Sequence, residues 1–163
     1  MKTFVIIIIV SFLFGCFSTP AQKTGKEGKP LPTFSMLLTD SATWVHSTDI
    51  PMGKSFAILY FSPYCPFCKA QTKNIIENID QLKDIHFYYI SSFPLSSVKE
   101  FIKEFDLKKY NNISIGIDSA HVVNDYFEVP AFPYIAIYGK NKKLKKTFIG
   151  KMYSSQIKKE AEE

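Results

Sequence analysis

Two cysteines separated by two residues, Cys65-Pro66-Phe67-Cys68, are the sharpest chemical feature of the sequence. At this spacing on a helix the second sulfur lies one turn beneath the first, within reach of a disulfide that can open and close. Half a zinc site and a purely structural bridge are the competing readings. Zinc would need a second pair of ligands. The only other cysteine is Cys16, far away in an apolar leader, and His46, His86 and His121 are scattered without paired spacing. A structural bridge across so short a loop would constrain the unfolded chain little. The pair is therefore read as redox-active, with no metal and no cofactor expected.

A reactive thiol needs an electropositive seat, and the flanking sequence supplies one. Residues 56–61 are a continuous apolar run suited to a central strand buried on both faces. From Pro66 onward Ala70, Ile75, Ile76 and Ile79 recur near helical spacing. Cys65 thus falls at a helix N-terminus, where unpaired backbone N–H groups and the macrodipole favour a thiolate. Pro66 suits the first helical turn because its missing donor costs nothing there.

The remaining elements alternate. Residues 33–39 and the region around Trp44 read as a hairpin, with Trp44 packing within it. Residues 86–91 form a second apolar strand, and Ser96 or Ser97 caps a helix running to about residue 106. Val98, Phe101, Ile102 and Phe105 share one face of that helix. Residues 113–117 make a short strand. Residues 134–138 pair with 144–149 across a turn at 139–143, and a terminal helix follows Gly150. Strands and helices in this order describe an α/β sandwich with a central mixed sheet flanked by helices and an N-terminal hairpin extension.

Of the 163 residues 46% are hydrophobic and 21% charged, which places the chain among globular proteins. The formal charge is +5, and every basic residue is Lys. Without the planar guanidinium of Arg, bidentate recognition of bases or phosphates is not expected, and a nucleic-acid role is excluded on that ground. Lys2 followed by the apolar run 4–14 has the length of a signal-peptide core rather than of a membrane span. Leu13-Phe14-Gly15-Cys16 resembles a bacterial lipobox, and lipidation of Cys16 would account for the cysteine left over from the pair. The expected organisation is a signal peptide over 1–15, a lipidated N-terminus and flexible tether over 16–30, and one domain over 31–163. The lysine-rich stretch 140–146 reads as a solvated hairpin edge.

With these residues in view the sequence resembles the thioredoxin superfamily, and more closely its exported, membrane-tethered TlpA/ResA-like members of the AhpC/TSA-redoxin type. The resemblance is carried by Gly28-Lys29-Pro30-Leu31-Pro32-Thr33-Phe34, by Gly53-Lys54 before the central strand, by residues 61–69 around the cysteines, and by Val129-Pro130-Ala131-Phe132-Pro133. It implies a thioredoxin-like fold and a cis-proline beside the cysteine pair, at Pro133 or, failing that, Pro130. Cys65 and Cys68 become the catalytic couple. Tyr64, Pro66, Phe67, Phe132 and Pro133 become the substrate-binding residues, the backbone of Phe132 being exposed for a client strand. Phe132 is equally readable as a packed core aromatic.

Three departures from the family pattern stand out. Tyr64 replaces the Trp common before the first cysteine, Leu59 stands where thioredoxins bury an Asp, and Gln71 where ResA-like proteins carry a Glu. Neither usual proton-handling carboxylate is present. The resemblance implies a monomeric reductase on the periplasmic face of a bacterial membrane. Its partners would be exported disulfide-containing clients and a membrane electron donor. A thiol peroxidase is the first alternative, although the Arg of peroxide pockets is missing. A redox-linked metal-binding or docking module on the same fold is the second.

Overall fold

The computed structural model describes residues 18–163. The signal-peptide and Cys16 assignments fall outside the described residues.

Eight strands form one mixed sheet: β1 (Ala21–Gln22), β2 (Ser35–Leu38), β3 (Trp44–His46), β4 (Phe56–Tyr60), β5 (His86–Ser91), β6 (Ile113–Ile117), β7 (Tyr134–Tyr138) and β8 (Leu144–Ile149). Their order is β1-β8-β7-β4-β5-β6-β2-β3, so β4 lies deep in the sheet. It runs parallel to β5 and antiparallel to β7. The two-sided apolar run does what its composition requires: Ala57, Leu59 and Phe61 enter the core on one face, while Phe56, Ile58 and Tyr60 enter the core on the other. β5 divides likewise, Phe87 and Tyr89 against Tyr88 and Ile90.

Among the described residues four α-helices complete the fold: α1 (Pro66–Glu77), α2 (Leu95–Phe105), α3 (Val122–Phe127) and α4 (Ser154–Glu162). The inward residues of α1, α2 and α4, including Cys68, Ile75, Val98, Phe101 and Ile157, share the first core. α3 contributes Val123 and Phe127 to the second.

The structure corrects several sequence-based expectations. The buried stripe of α1 is Cys68, Gln71, Thr72 and Ile75. Ala70 is only half-buried, and Ile79 falls in the 3-10 turn Ile79–Leu82 that follows the helix. Neither Ser96 nor Ser97 caps α2. The N-cap is Pro94, whose carbonyl accepts the Val98 N–H at 3.2 Å, so both serines lie inside the first turn. Trp44 is 48% exposed on the outermost strand, with no further strand among the described residues to cover it.

The helix α3 was not expected from the polar run that contains His121. Its first turn is held by the buried Asp118, whose carboxylate accepts the N–H groups of Val122 and Val123, both at 2.9 Å. This is a capping interaction made from outside the ordinary cap position, where His121 sits in a left-handed conformation. His121 itself is exposed.

From Ser18 onward the segment expected to be a flexible tether is instead seated along the sheet. Ala21 and Gln22 pair with Phe148 and Thr147, and Pro30 bridges to Lys143. β8 would otherwise be an open edge, and its free backbone groups are the physical reason the segment adheres. Three lysines of this hairpin are engaged: Lys146 pairs with Glu160 and Glu163, Lys145 donates to the last carbonyls of α4, and Lys142 donates to the Thr48 carbonyl at 3.3 Å.

Gly116 marks a close approach between β6 and β2. A Cβ there would stand 2.9 Å from Met36 Cγ and 3.0 Å from the Leu37 carbonyl oxygen. Substituting Gly116→Ala should therefore cost about 1–3 kcal/mol of stability, seen as a lower urea midpoint at unchanged slope.

Candidate active site

The chain leaves β4 at Tyr60, turns through Ser62-Pro63-Tyr64, and enters α1 with Cys65 as the N-cap and Pro66 as the first helical residue. The turn is fixed by two bonds: the Cys65 N–H donates to the Ser62 carbonyl at 3.2 Å, and the Tyr64 N–H donates to Ser62 Oγ at 3.3 Å. No side chain caps α1. The first N–H groups of the helix are thus left toward the Cys65 end, the electropositive seat that the sequence required.

The two thiols, both free, are set apart by burial. Cys65 is half-buried and Cys68 is completely buried against the core beneath α1. Burial pushes the Cys68 thiol well above its ordinary value, and the nearby Cys65 sulfur pushes in the same direction. The Ser62 backbone amide opposes both by favouring the thiolate. No carboxylate is among the groups acting on this sulfur.

The residues that replace the two missing carboxylates are structural. Leu59 is packed in the core of β4. Gln71 is fully buried, and its Oε1 accepts the Met152 N–H at 2.6 Å, tying α1 to the segment that leads into α4. Gln71 Nε2, Thr72 Oγ1 and the Tyr89 hydroxyl are buried without hydrogen-bond partners among the described residues. Tyr89 lies in the same core as Cys68.

The second signature arrives from β7. The Phe132–Pro133 peptide is cis, as the resemblance implied for Pro133. The Phe132 carbonyl accepts from Cys65 Sγ at 3.5 Å, and the Pro133 carbonyl accepts the Gly150 N–H at 2.8 Å. The Phe132 ring is packed, as one of its two readings expected. It is half-buried and stacked on Tyr60 with centroids 6.1 Å apart, so it is anchored while its backbone faces the cysteine.

Around Cys65 the rings form a connected rim. Phe93 meets Phe132 edge to face at 6.0 Å and Tyr64 at 5.8 Å. The Tyr64 hydroxyl shares a 2.6 Å hydrogen bond with Ser97 Oγ, which gives the buried serine its role in place of helix capping. Phe67 and Pro66 are exposed beside them. Phe93, from the β5–α2 connection, and Ser97, in the first turn of α2, were not read from the sequence as neighbours of the cysteines, because only the fold brings them there. Lys69 makes two bonds to the Glu104 carboxylate at 2.7 and 3.0 Å and so clamps α1 to α2. Both partners are well exposed, so the pair is worth at most about 1 kcal/mol.

The arrangement can attack a disulfide with one accessible sulfur and hold a second in reserve. Among the described residues no three His, Cys, Asp or Glu side chains come together as a metal site.

The profile described as the AhpC/TSA family matches residues 28–149. No curated protein matches the sequence. Among solved structures, the pneumococcal exposed lipoprotein thioredoxin Etrx1 from Streptococcus pneumoniae is 22% identical with a TM-score of 0.64, the alignment covering 79% of this chain and 99% of that one. StoA from Bacillus subtilis is 18% identical with a TM-score of 0.61, over 79% and 96% of the two chains. A secreted Mycobacterium tuberculosis disulfide oxidoreductase is 18% identical with a TM-score of 0.63, over 78% and 92%. These likenesses establish the fold as thioredoxin-like.

Because the buried Cys68 thiol stays protonated at neutral pH while Cys65 is reachable, alkylation should separate them. Iodoacetamide at about pH 8 should modify Cys65 in the native dithiol form and leave Cys68 untouched, whereas both should react in urea. Peptide mapping by mass spectrometry reads the result; equal native modification would contradict the burial assignment.

Proposed function

The chain belongs to the AhpC/TSA family, and from that membership and the cysteine geometry we propose that it is a membrane-tethered thiol–disulfide oxidoreductase reducing disulfides of exported proteins. The observation that carries this reading is the contrast between the half-exposed Cys65 at the start of α1 and the buried Cys68 in the same helical turn.

In the forward reaction the Cys65 thiolate attacks one sulfur of a client disulfide, forming the mixed disulfide and expelling the client's other sulfur as a thiolate. Cys68 then loses its proton and attacks the Cys65 sulfur. The Cys65–Cys68 bond forms, the mixed bond breaks, and the second client sulfur leaves. Two electrons pass from the dithiol to the client, and the Cys68 proton goes to solvent or a departing thiolate. The Phe132 backbone and the Tyr64–Phe93–Phe132 rim are the surface against which an extended client segment lies, with the exposed Pro66 and Phe67 adjoining Cys65 in sequence.

Export and tethering rest on the apolar leader and on Leu13-Phe14-Gly15-Cys16, with Cys16 carrying the lipid. A secreted oxidoreductase and an exposed lipoprotein thioredoxin among the structural neighbours are consistent with a place outside the cytoplasm. In an oxidising compartment the dithiol must be regenerated, so a membrane electron donor is part of this reading. The protein acts as a monomer on the periplasmic face of a bacterial membrane. The absence of Arg counts against a peroxidase, whose pocket would need one.

Substituting Cys68→Ser should trap covalent client complexes through Cys65, detected as dithiothreitol-sensitive bands. Trapping only with Cys65→Ser would reverse the roles. The Pro-Phe pair between the cysteines lacks the His of strongly oxidising relatives, so equilibration with glutathione buffers should give a potential of about −270 to −200 mV. A value above about −150 mV would make the protein an oxidant or isomerase.

A further inference from the structure

The seated N-terminal segment has a direction, and its direction determines which end of the molecule an anchor holds. Thr19 is locked at the junction of β8 and α4: its N–H donates to Gln156 Oε1 at 2.9 Å, its hydroxyl to the Lys151 carbonyl at 2.6 Å, and its carbonyl accepts from Gln156 Nε2 at 2.7 Å. The segment then runs antiparallel to β8. Ala21 lies opposite Phe148, the Gly28 N–H reaches the Leu144 carbonyl at 2.8 Å, and the Leu31 N–H reaches the Lys142 carbonyl at 3.0 Å. Its first residue therefore stands at the end of β8 that carries Gly150. Gly150 is bonded to Pro133, and Phe132 is bonded to Cys65. The strap begins at the redox end and finishes at the lysine-rich turn.

Only Phe17 and Ser18 separate Cys16 from Thr19. Three residue steps span at most about 11 Å. A free segment over 16–30 would instead let the domain wander by about 20 Å. The turn bearing Lys140, Lys142 and Lys143 lies at the far end of a strand some 20 Å long.

Exposed aromatic side chains flank Cys65 in its own loop, at Tyr64 and Phe67, and follow the end of β8 at Tyr153. Tyr64 is 65% exposed, Phe67 63% and Tyr153 50%, and the Lys151 ammonium stands 5.2 Å from the centre of the Tyr153 ring. Aromatic rings with a polar tip, flanked by lysine, suit the headgroup layer of a bilayer.

We propose that the redox end of the domain is held against the lipid–water interface, with the lysine-rich turn pointing away from it. Cys65 then works at headgroup height, on thiols and disulfides of partners embedded in or lying on the membrane. This rests on the Cys16 anchor of the function proposed above. Net charge alone would choose the opposite orientation, since the lysine turn would be drawn to anionic lipid. Reaching it from Cys16 would require unzipping the strap from β8.

Tryptophan quenching decides between the two ends. The full chain would be expressed with its leader, purified from membranes and reconstituted in phosphatidylcholine–phosphatidylglycerol vesicles with brominated acyl chains. Trp44→Phe removes the native fluorophore, and Tyr64→Trp or Asn141→Trp reports one end each. Tyr153→Trp serves as the second reporter of the redox end should Tyr64→Trp not fold. The Tyr64→Trp or Tyr153→Trp emission should fall at least about twofold on vesicles and the Asn141→Trp emission should not change, the quenching depth being that of interfacial side chains. Inserting about 20 Gly/Ser residues after Phe17 should abolish the difference. Vesicle-bound protein quenched at Asn141→Trp, or at neither end, overturns the orientation while leaving the anchor intact. Failure to float with vesicles overturns the Cys16 anchor and the orientation with it.

Discussion

The first turn of α1 does two opposed things at once, leaving one sulfur accessible and keeping the other from water. The helical repeat resolves the conflict. Cys65, as N-cap, stays at the rim of the sheet, while Cys68 is carried inward with Thr72 and Ile75 onto the strands beneath. Because α1 begins directly beyond the end of β4, the position of this turn is set by the most buried strand of the molecule. The packing of α1 onto the strands thus sets the different environments of the two sulfurs.

The second requirement is a backbone surface beside the accessible sulfur, and it comes from far along the chain. Antiparallel pairing of β7 with β4 sets Tyr134 opposite Tyr60, which brings the cis Phe132–Pro133 peptide to Cys65. The Gly150 N–H then fixes the Pro133 carbonyl. The rings of Tyr60, Phe132, Phe93 and Tyr64 link the buried strand to the exposed rim. Such rings bury large area with few torsions, so they hold the rim's shape at little entropic cost.

Where relatives keep carboxylates, this protein has a core leucine and a glutamine that ties helix to loop. Removing an ionisable group from beside a buried thiol avoids the desolvation of a second charge, and it also leaves no built-in base for that thiol. The site is therefore organised around burial and backbone amides rather than around titrating side chains. The strap along β8 belongs to the same economy, satisfying an edge that would otherwise be open.

The cis bond at Pro133 was implied only by the resemblance of Val129-Pro130-Ala131-Phe132-Pro133 to a family motif. The apolar run of β4 and the alternation of strands with helices, by contrast, were enough to read an α/β fold, because local periodicity acts over a few residues. Most strands were legible for the same reason, being continuous apolar runs between turn residues. The short helix α3 was not, since the carboxylate that starts it lies four residues before its first residue. Nor was the engagement of Ser97 by Tyr64 or of Lys69 by Glu104, contacts made between separate elements. Composition likewise made residues 18–30 look free, because polar, glycine-rich sequence lacks apolar surface to bury. What seats them is the row of unpaired backbone groups along β8, a partner that exists only once the hairpin of β7 and β8 has folded.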